Sequence, residues 1–251
     1  MTGLASRPFE PLPFEPGYRR VAEAITARIL DRSLRTGERL PPEAELAEQF
    51  AVNRSTIREA LRELESVHLL ARRRGSKRLV VSRPEAGQIA GRVGQSLALH
   101  DVTIREVWQT LELIEPAIAA EAAQNAGADA IVALRDAVAA YQADHASALN
   151  AVNGVAGFFR SVAAASGNRV LGLTQEPLLL LLGAALEMMI DRAAPARARI
   201  GTAQQRILAA IEAHDAATAR EWMGKHVRDF RRGFEVIGLD VESPVPAPRR
   251  D

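Results

Sequence analysis

The chain has 251 residues, with 32 Lys and Arg against 31 Asp and Glu, 47% hydrophobic residues and no cysteine. That length leaves room for one or two domains with a sizeable core. The lack of cysteine excludes a disulfide framework, a zinc ribbon and a cysteine nucleophile, and reads as a cytoplasmic protein.

In chain order, the opening MTGLASRPFEPLPFEPG holds four prolines and no apolar core. It reads as a flexible arm over residues 1–16, not as a secretory signal. From Tyr18 to Ser33, Val21, Ala24, Ile25, Ile29 and Leu30 are assigned to one helix face. TGERLPPE breaks that helix, and Pro42 suits the first turn of a short helix ending near Phe50, with Leu46, Ala47 and Phe50 facing inward. In NRSTIREALRELESVHLL, Ile57, Ala60, Leu61, Leu64 and Val67 recur every three or four residues, which predicts an amphipathic helix capped by Asn53 or Ser55. LLARRRGSKRLVVS then reads as two short strands around Gly75, with Leu79 and Val81 inward. Three helices and a hairpin make a winged helix-turn-helix over residues 17–82, followed by a linker at 83–87 with turn-forming residues.

Charge divides at the same place. Residues 1–83 carry 16 basic and 11 acidic side chains, and residues 84–251 carry 16 and 20. A basic module joined to an acidic one suits a polyanionic partner for the first alone. A helix in the major groove offers its N-terminal side chains to base edges, and a guanidinium matches guanine O6 and N7. Arg54 and Arg58 are therefore the expected base readers, with Ser55 and Thr56 beside them. The basic hairpin tip, Arg72 to Arg78, suits the DNA backbone or minor groove.

The series GERLPPE, LAEQFAVNRSTIREALREL and the Gly75 wing resembles the N-terminal domain of GntR-type bacterial transcription regulators along nearly all of residues 18–82. The resemblance implies DNA contacts by Asn53, Arg54, Ser55, Thr56 and Arg58, with Arg74, Gly75 and Ser76 in the wing, and the basic Lys77 beside them is a further expected DNA contact by its charge. Two positions depart from the pattern: Ala44 replaces a usual Arg, and Lys77 stands where a second wing glycine is common.

Residues 88–239 are rich in Ala and Leu and read as helices near 88–99, 103–125, 128–146, 148–166, 168–191, 197–214 and 216–237, the last capped by Asp215. The longest apolar run, Pro177 to Leu186, ends at Glu187, well short of the ~18 residues that suggest a membrane span. VWQTLELIEPAIAAEAA, FFRSVAAASGN and QQRILAAIEAHDAATAREWMGKHV resemble segments of the FCD domain of the FadR subfamily of GntR regulators. That implies an all-α antiparallel bundle for effector binding and dimerisation, followed by a flexible tail over 240–251. The fold class is thus mainly α.

Many such domains hold a divalent metal through one Asp and three His. Here the resemblance puts Val155 and Phe159 at the Asp and first His, Gln205 at the second and His226 at the last. An Arg that pairs with a carboxylate ligand corresponds to Leu111, ahead of Glu115. One imidazole cannot hold a zinc-like ion, so no metal cofactor is expected. Val155, Phe159 and Leu111 make an apolar cavity, with Glu115, Trp108, Trp222 and His226 as further lining. The expected effector is lipid-like, a fatty-acyl chain or coenzyme A thioester. The alternative is that these side chains simply pack, leaving a closed cavity and no effector. His68, His100, His145 and His214 fit no metal spacing.

The chain lacks the phosphate-loop, dinucleotide, G-x-S-x-G and H-E-x-x-H motifs. A small all-α enzyme with a basic appendage is the remaining, disfavoured reading. The favoured one is a non-enzymatic repressor that binds a palindromic double-stranded DNA operator as a homodimer and answers to a small apolar ligand, with no membrane partner.

Overall fold

Ten helices and one two-stranded sheet form within residues 16–72, 78–144, 147–193 and 195–245, the parts of the chain that the computed structural model describes. They divide into two units between Glu85 and Ala86.

The first unit contains α1 (Gly17–Leu30), α2 (Glu43–Gln49), α3 (Arg54–Ser66), β1 (Leu70–Arg72) and β2 (Leu79–Val81). Its core joins Val21, Ala22 and Ile25 of α1 to Leu46 of α2, to Ile57, Ala60, Leu61 and Leu64 of α3, and to Leu70, Leu79 and Val81 of the strands. The strands are antiparallel, with Leu70 opposite Val81 and Arg72 opposite Leu79. The segment before α2 extends the pairing: Gly37 N–H donates to Val81 O at 2.8 Å and Leu40 N–H to Leu79 O at 3.0 Å. Gly37 has φ +88°, a conformation in which a side chain is strained. Leu30 corrects the helical expectation, because it is 74% exposed. Nine residues beyond Val21 it lies about 180° round the helix, and Ala22 takes the inward place.

The second unit is an all-α bundle: α4 (Ala86–Leu99), α5 (Ile104–Asn125), α6 (Ala128–Ala143), α7 (Ala148–Ala165), α8 (Arg169–Arg192), α9 (Ala196–Glu212) and α10 (Ala216–Val236). The centre is α5, which packs on α7, α8, α9 and α10. A capping box starts it: Glu106 N–H donates to Thr103 Oγ1 and Thr103 N–H to Glu106 Oε2. Asp215 caps α10 by accepting from Thr218 N–H at 3.0 Å. α8 is long and apolar enough to cross a membrane by length and composition, yet 61% of its most apolar window is buried in the bundle. Residues 240–245 correct the expectation of a tail that is flexible throughout. Val245 is buried, its N–H donates to Val102 O at 2.8 Å, and Arg105 N–H donates to Val241 O at 2.9 Å. Residues 1–15 and 246–251, the rest of the expected arm and tail, lie outside the described residues.

Tyr141 shows how closely the helices approach. Its hydroxyl donates to Arg197 O at 3.0 Å, and a Cβ on Gly154 would stand 2.9 Å from its Cδ2 and 3.4 Å from its Cα. Gly154→Ala should therefore lower stability by about 1–3 kcal/mol through overpacking. Gly157→Ala, which meets open space, should be neutral or stabilising in thermal denaturation.

Candidate DNA-contacting surface and effector-domain interior

On the first unit the core fixes which face of α3 is offered outward. Asn53 occupies the N-cap position with extended backbone, but its side chain makes no capping hydrogen bond. Asn53, Arg54, Ser55 and Arg58 are exposed. Thr56 is half-buried, its methyl 3.4 Å from where a Gly17 Cβ would stand, so it lies toward the start of α1. Arg58 Nε donates to Glu43 Oε2 at 2.7 Å, and Arg72, at the base of the wing, pairs with Glu65 of α3 at 2.9 Å. Arg62 is exposed one turn beyond Arg58. Sequence reading missed it, although Arg54, Arg58 and Arg62 recur every four residues and so neighbour one another on the helix surface. Arg74, Gly75, Ser76 and Lys77 lie outside the described residues.

In the second unit Trp108, Leu111, Glu115, Val155, Phe159 and His226 are all buried. The Phe159 ring is stacked on His226 with centroids 5.5 Å apart, and Phe230 lies 4.7 Å from His226. Trp108 donates its indole N–H to Val227 O at 2.9 Å, so that donor ties α5 to α10. Trp222 is half-buried with the Lys225 ammonium 4.8 Å from its ring. Trp222 and His226 help line a cleft of about 260 Å³ between α9 and α10, together with Arg199, Thr202, Lys225 and Asp229.

Gln205 requires a correction. It is exposed, while its neighbour Gln204 is fully buried. The inward stripe of α9 runs through Ile200, Ala203, Gln204, Ile207 and Ile211, and Gln205, about 100° further round the helix from Gln204, falls on the outer face. Among the described residues no three His, Asp or Glu side chains converge as metal ligands. Val155, Phe159 and Gln204 offer no anionic or imidazole donor beside His226, and this set does not fit a metal.

Two further interior residues were not singled out from the sequence. Gln175 of α8 donates through Nε2 to both oxygens of Glu115, at 2.8 and 3.0 Å, and to Phe159 O at 3.3 Å. Glu176 accepts from Arg160 Nε at 2.7 and 2.8 Å, so half-exposed Arg160 caps the bundle surface. The signal was the polar pair Gln175–Glu176 beside an all-apolar run. Gln175 Oε1, both amide atoms of Gln204 and His226 Nε2 are buried without a hydrogen-bond partner. Burial drives the Glu115 pKa from 4.5 up to about 8, opposed by the Gln175 N–H, and drives that of His226 down to about 3. Near neutral pH both side chains are mainly uncharged.

A winged helix-turn-helix with Arg54, Arg58 and Arg62 exposed on α3, followed in the chain by an all-α domain with a largely apolar interior, is the arrangement of a DNA-binding regulator. The family profile described as bacterial regulatory proteins of the gntR family matches residues 17–80, and the FCD domain profile matches residues 106–229. The chain is 29% identical over 226 residues to the Uxu operon transcriptional regulator of Escherichia coli (strain K12), covering 86% of this chain and 85% of that one. It is 30% identical over 212 residues to an HTH-type transcriptional regulator of Mycobacterium tuberculosis, covering 81% and 85%. The structure of Streptococcus agalactiae GntR is similar with a TM-score of 0.65 at 26% identity, over 86% of this chain and 99% of that one. The chain belongs to the GntR family of bacterial regulatory proteins and carries an FCD domain.

A pH dependence follows from Glu115. Its pKa is raised on folding, so its contribution to stability is fully present below about pH 4.5. That contribution is lost as pH rises toward about 8, at up to about 1.4 kcal/mol per pH unit. Glu115→Gln, neutral at every pH, should flatten that decline in urea denaturation between about pH 5 and 8. Equal slopes in the two proteins would show that Glu115 is not the group responsible.

Proposed function

We propose that this regulator is a cytoplasmic homodimeric repressor that inserts α3 of each protomer into successive major grooves of a palindromic operator. We further propose that it releases DNA when a largely apolar, uncharged-headed effector enters the helical domain without a metal. The DNA half of the reading is supported by the exposed Arg54, Arg58 and Arg62 on a helix whose opposite face is locked into a core. Repression is the simplest output of a dimer that occupies its operator. Dimerisation is supported by Leu173, Leu180 and Met188, exposed on α8 at spacings of seven and eight residues, an apolar stripe of the kind helices bury against one another.

The observation that carries the effector reading is the set of unpartnered atoms on Gln175, Gln204 and His226, inside a core otherwise built from Leu, Ile, Val, Phe and Ala. Each buried polar group left unmet costs about 1–3 kcal/mol, which a ligand with matching groups recovers. The amides, the imidazole and a protonated Glu115 are all uncharged, so an alcohol, amide, ester or thioester carbonyl on a hydrocarbon body suits them. A free carboxylate does not, since it would be desolvated without a counter-charge. An acyl thioester thus remains within the proposed class. A second reading is a constitutive repressor with a closed interior. The Phe159–His226–Phe230 ring cluster favours it, because it fills the space beside these atoms.

Native mass spectrometry of the purified protein, with metal analysis and solvent extraction, separates the two. A metal-free dimer that carries an extractable neutral-headed lipid, and whose extract lowers operator binding, is the expected result. Gln204→Leu should then leave operator binding intact and remove the response. An empty dimer with no response to any extract would support the closed reading, and stoichiometric metal would overturn both. On the DNA side, Arg54→Ala should cost about 1–3 kcal/mol and relax preference at one base position. A uniform loss across all sequences would reduce Arg54 to a phosphate contact.

A further inference from the structure

Arg58 does not stand alone on the recognition helix. Its Nε donates to Oε2 of Glu43, the first residue of α2, at 2.7 Å, and both side chains are partly exposed. The pair bridges two helices whose relative placement is set by Leu46, Ile57 and Leu61 in one core. Among the described residues the two Nη groups of Arg58 make no other hydrogen bond, and Arg54, one turn earlier, has no partner at all.

A guanidinium can grip an acceptor pair in two ways: end-on through its two Nη groups, or side-on through Nε and one Nη. With Nε occupied by Glu43, only the end-on grip remains. That edge points away from the carboxylate that holds the other, which is the arrangement needed to present two parallel N–H donors to guanine O6 and N7. We infer that Glu43 is a positioning residue for base readout, a carboxylate that does not touch DNA but holds the Arg58 guanidinium in the end-on orientation.

This inference rests on the proposed insertion of α3 into the major groove. It carries a signature that a merely structural ion pair lacks. A carboxylate near the phosphates weakens binding to every sequence, while a pre-oriented guanidinium strengthens binding to the matching sequence alone. Glu43 should therefore lower non-specific affinity and raise specificity together, so removing it should move the two in opposite directions.

The test uses the full chain and duplexes with a randomised core of about 20 base pairs, the length scale of two half-sites one helical turn apart. Sites are selected and sequenced for wild type, Glu43→Gln, Glu43→Asp, Arg58→Ala and the Glu43→Gln/Arg58→Ala double variant. Affinities for the selected site and for a random duplex are measured beside thermal midpoints. Arg58→Ala is expected to erase the preference for a G·C pair at one position of each half-site. Glu43→Gln should weaken that same preference about tenfold, a typical share of one paired base contact, while random-duplex binding tightens. Glu43→Asp, a shorter carboxylate, should fall between them, and the double variant should discriminate no worse than Arg58→Ala.

Retained preference in Glu43→Gln, loss spread evenly over all positions, or additive effects in the double variant would overturn the inference while leaving the regulator reading in place. So would a selected consensus that Arg58→Ala does not change. If wild type selects no consensus, the DNA-binding reading fails and the inference fails with it. Should Glu43→Gln lower the thermal midpoint, Arg58→Lys supplies the comparison. A lysine has no Nε–H edge to be held, so its base preference should be indifferent to Glu43→Gln, and sensitivity in that background would count against the inference.

Discussion

The helical domain is organised by a conflict along one face of α5. Ile104, Val107, Trp108, Leu111, Ile118, Ala119 and Ala122 give that face the apolar stripe around which α7, α8, α9 and α10 assemble. In the middle of it stands Glu115, fully buried and, among the described residues, with no basic side chain paired to it. An ionised carboxylate there would face a large desolvation cost. The Gln175 amide is the partner that meets it, and burial, which raises the pKa to about 8, favours the protonated form. That choice propagates outward: Gln175 is committed to Glu115 and to the Phe159 carbonyl, and the Phe159 ring is stacked on His226. Burial in turn keeps His226 neutral. Elements from α5, α7, α8 and α10 are therefore coupled through uncharged polar contacts and ring packing.

The DNA-binding unit is governed by a different balance. Its core is small and built from short runs on three helices and two strands, with the segment from Gly37 to Leu40 laid along β2 as a further pairing. Under the proposed insertion of α3 into the major groove, rigidity there serves orientation, since the helix can read bases only if its N-terminal half is held at a fixed attitude. Two acidic side chains form ion pairs beside α3. Glu65 engages Arg72 at the root of the wing, and Glu43 engages Arg58. Surface ion pairs contribute little to stability, so under the proposed readout the value of the Glu43–Arg58 pair lies in where it leaves the guanidinium edge pointing.

The relation between sequence and structure differs between the two units for a physical reason. Periodicity located every helix of the bundle to within a few residues, because each helix carries an apolar stripe long enough to show its period and a breaker or cap at its end, such as Thr103, Asn168 and Asp215. The same arithmetic was overextended at Leu30, where membership of an apolar run was mistaken for membership of a face. The family resemblance, in turn, put Gln205 in the interior where Gln204 stands, one residue away, identical side chains that only helical phase tells apart. Residues 240–245 carried the composition of a tail, yet Val245 finds a buried place beside the start of α5, a pairing between segments far apart in the chain.

Composition, charge asymmetry and motif spacing were by themselves enough to determine a basic winged helix-turn-helix followed by an acidic all-α domain, and to place Arg54 and Arg58 at the outward start of the recognition helix. Those features are local, encoded by residues within one or two turns of each other. What only the tertiary structure decided was the company each polar group keeps. Among the described residues Glu115 meets Gln175 and no cation, Gln204 and His226 are left with unmet hydrogen-bonding capacity, Trp108 is tied to α10, and Arg58 pairs with Glu43. Such partnerships join residues on different helices, and no periodicity along a single chain records which side chain lies across the interface.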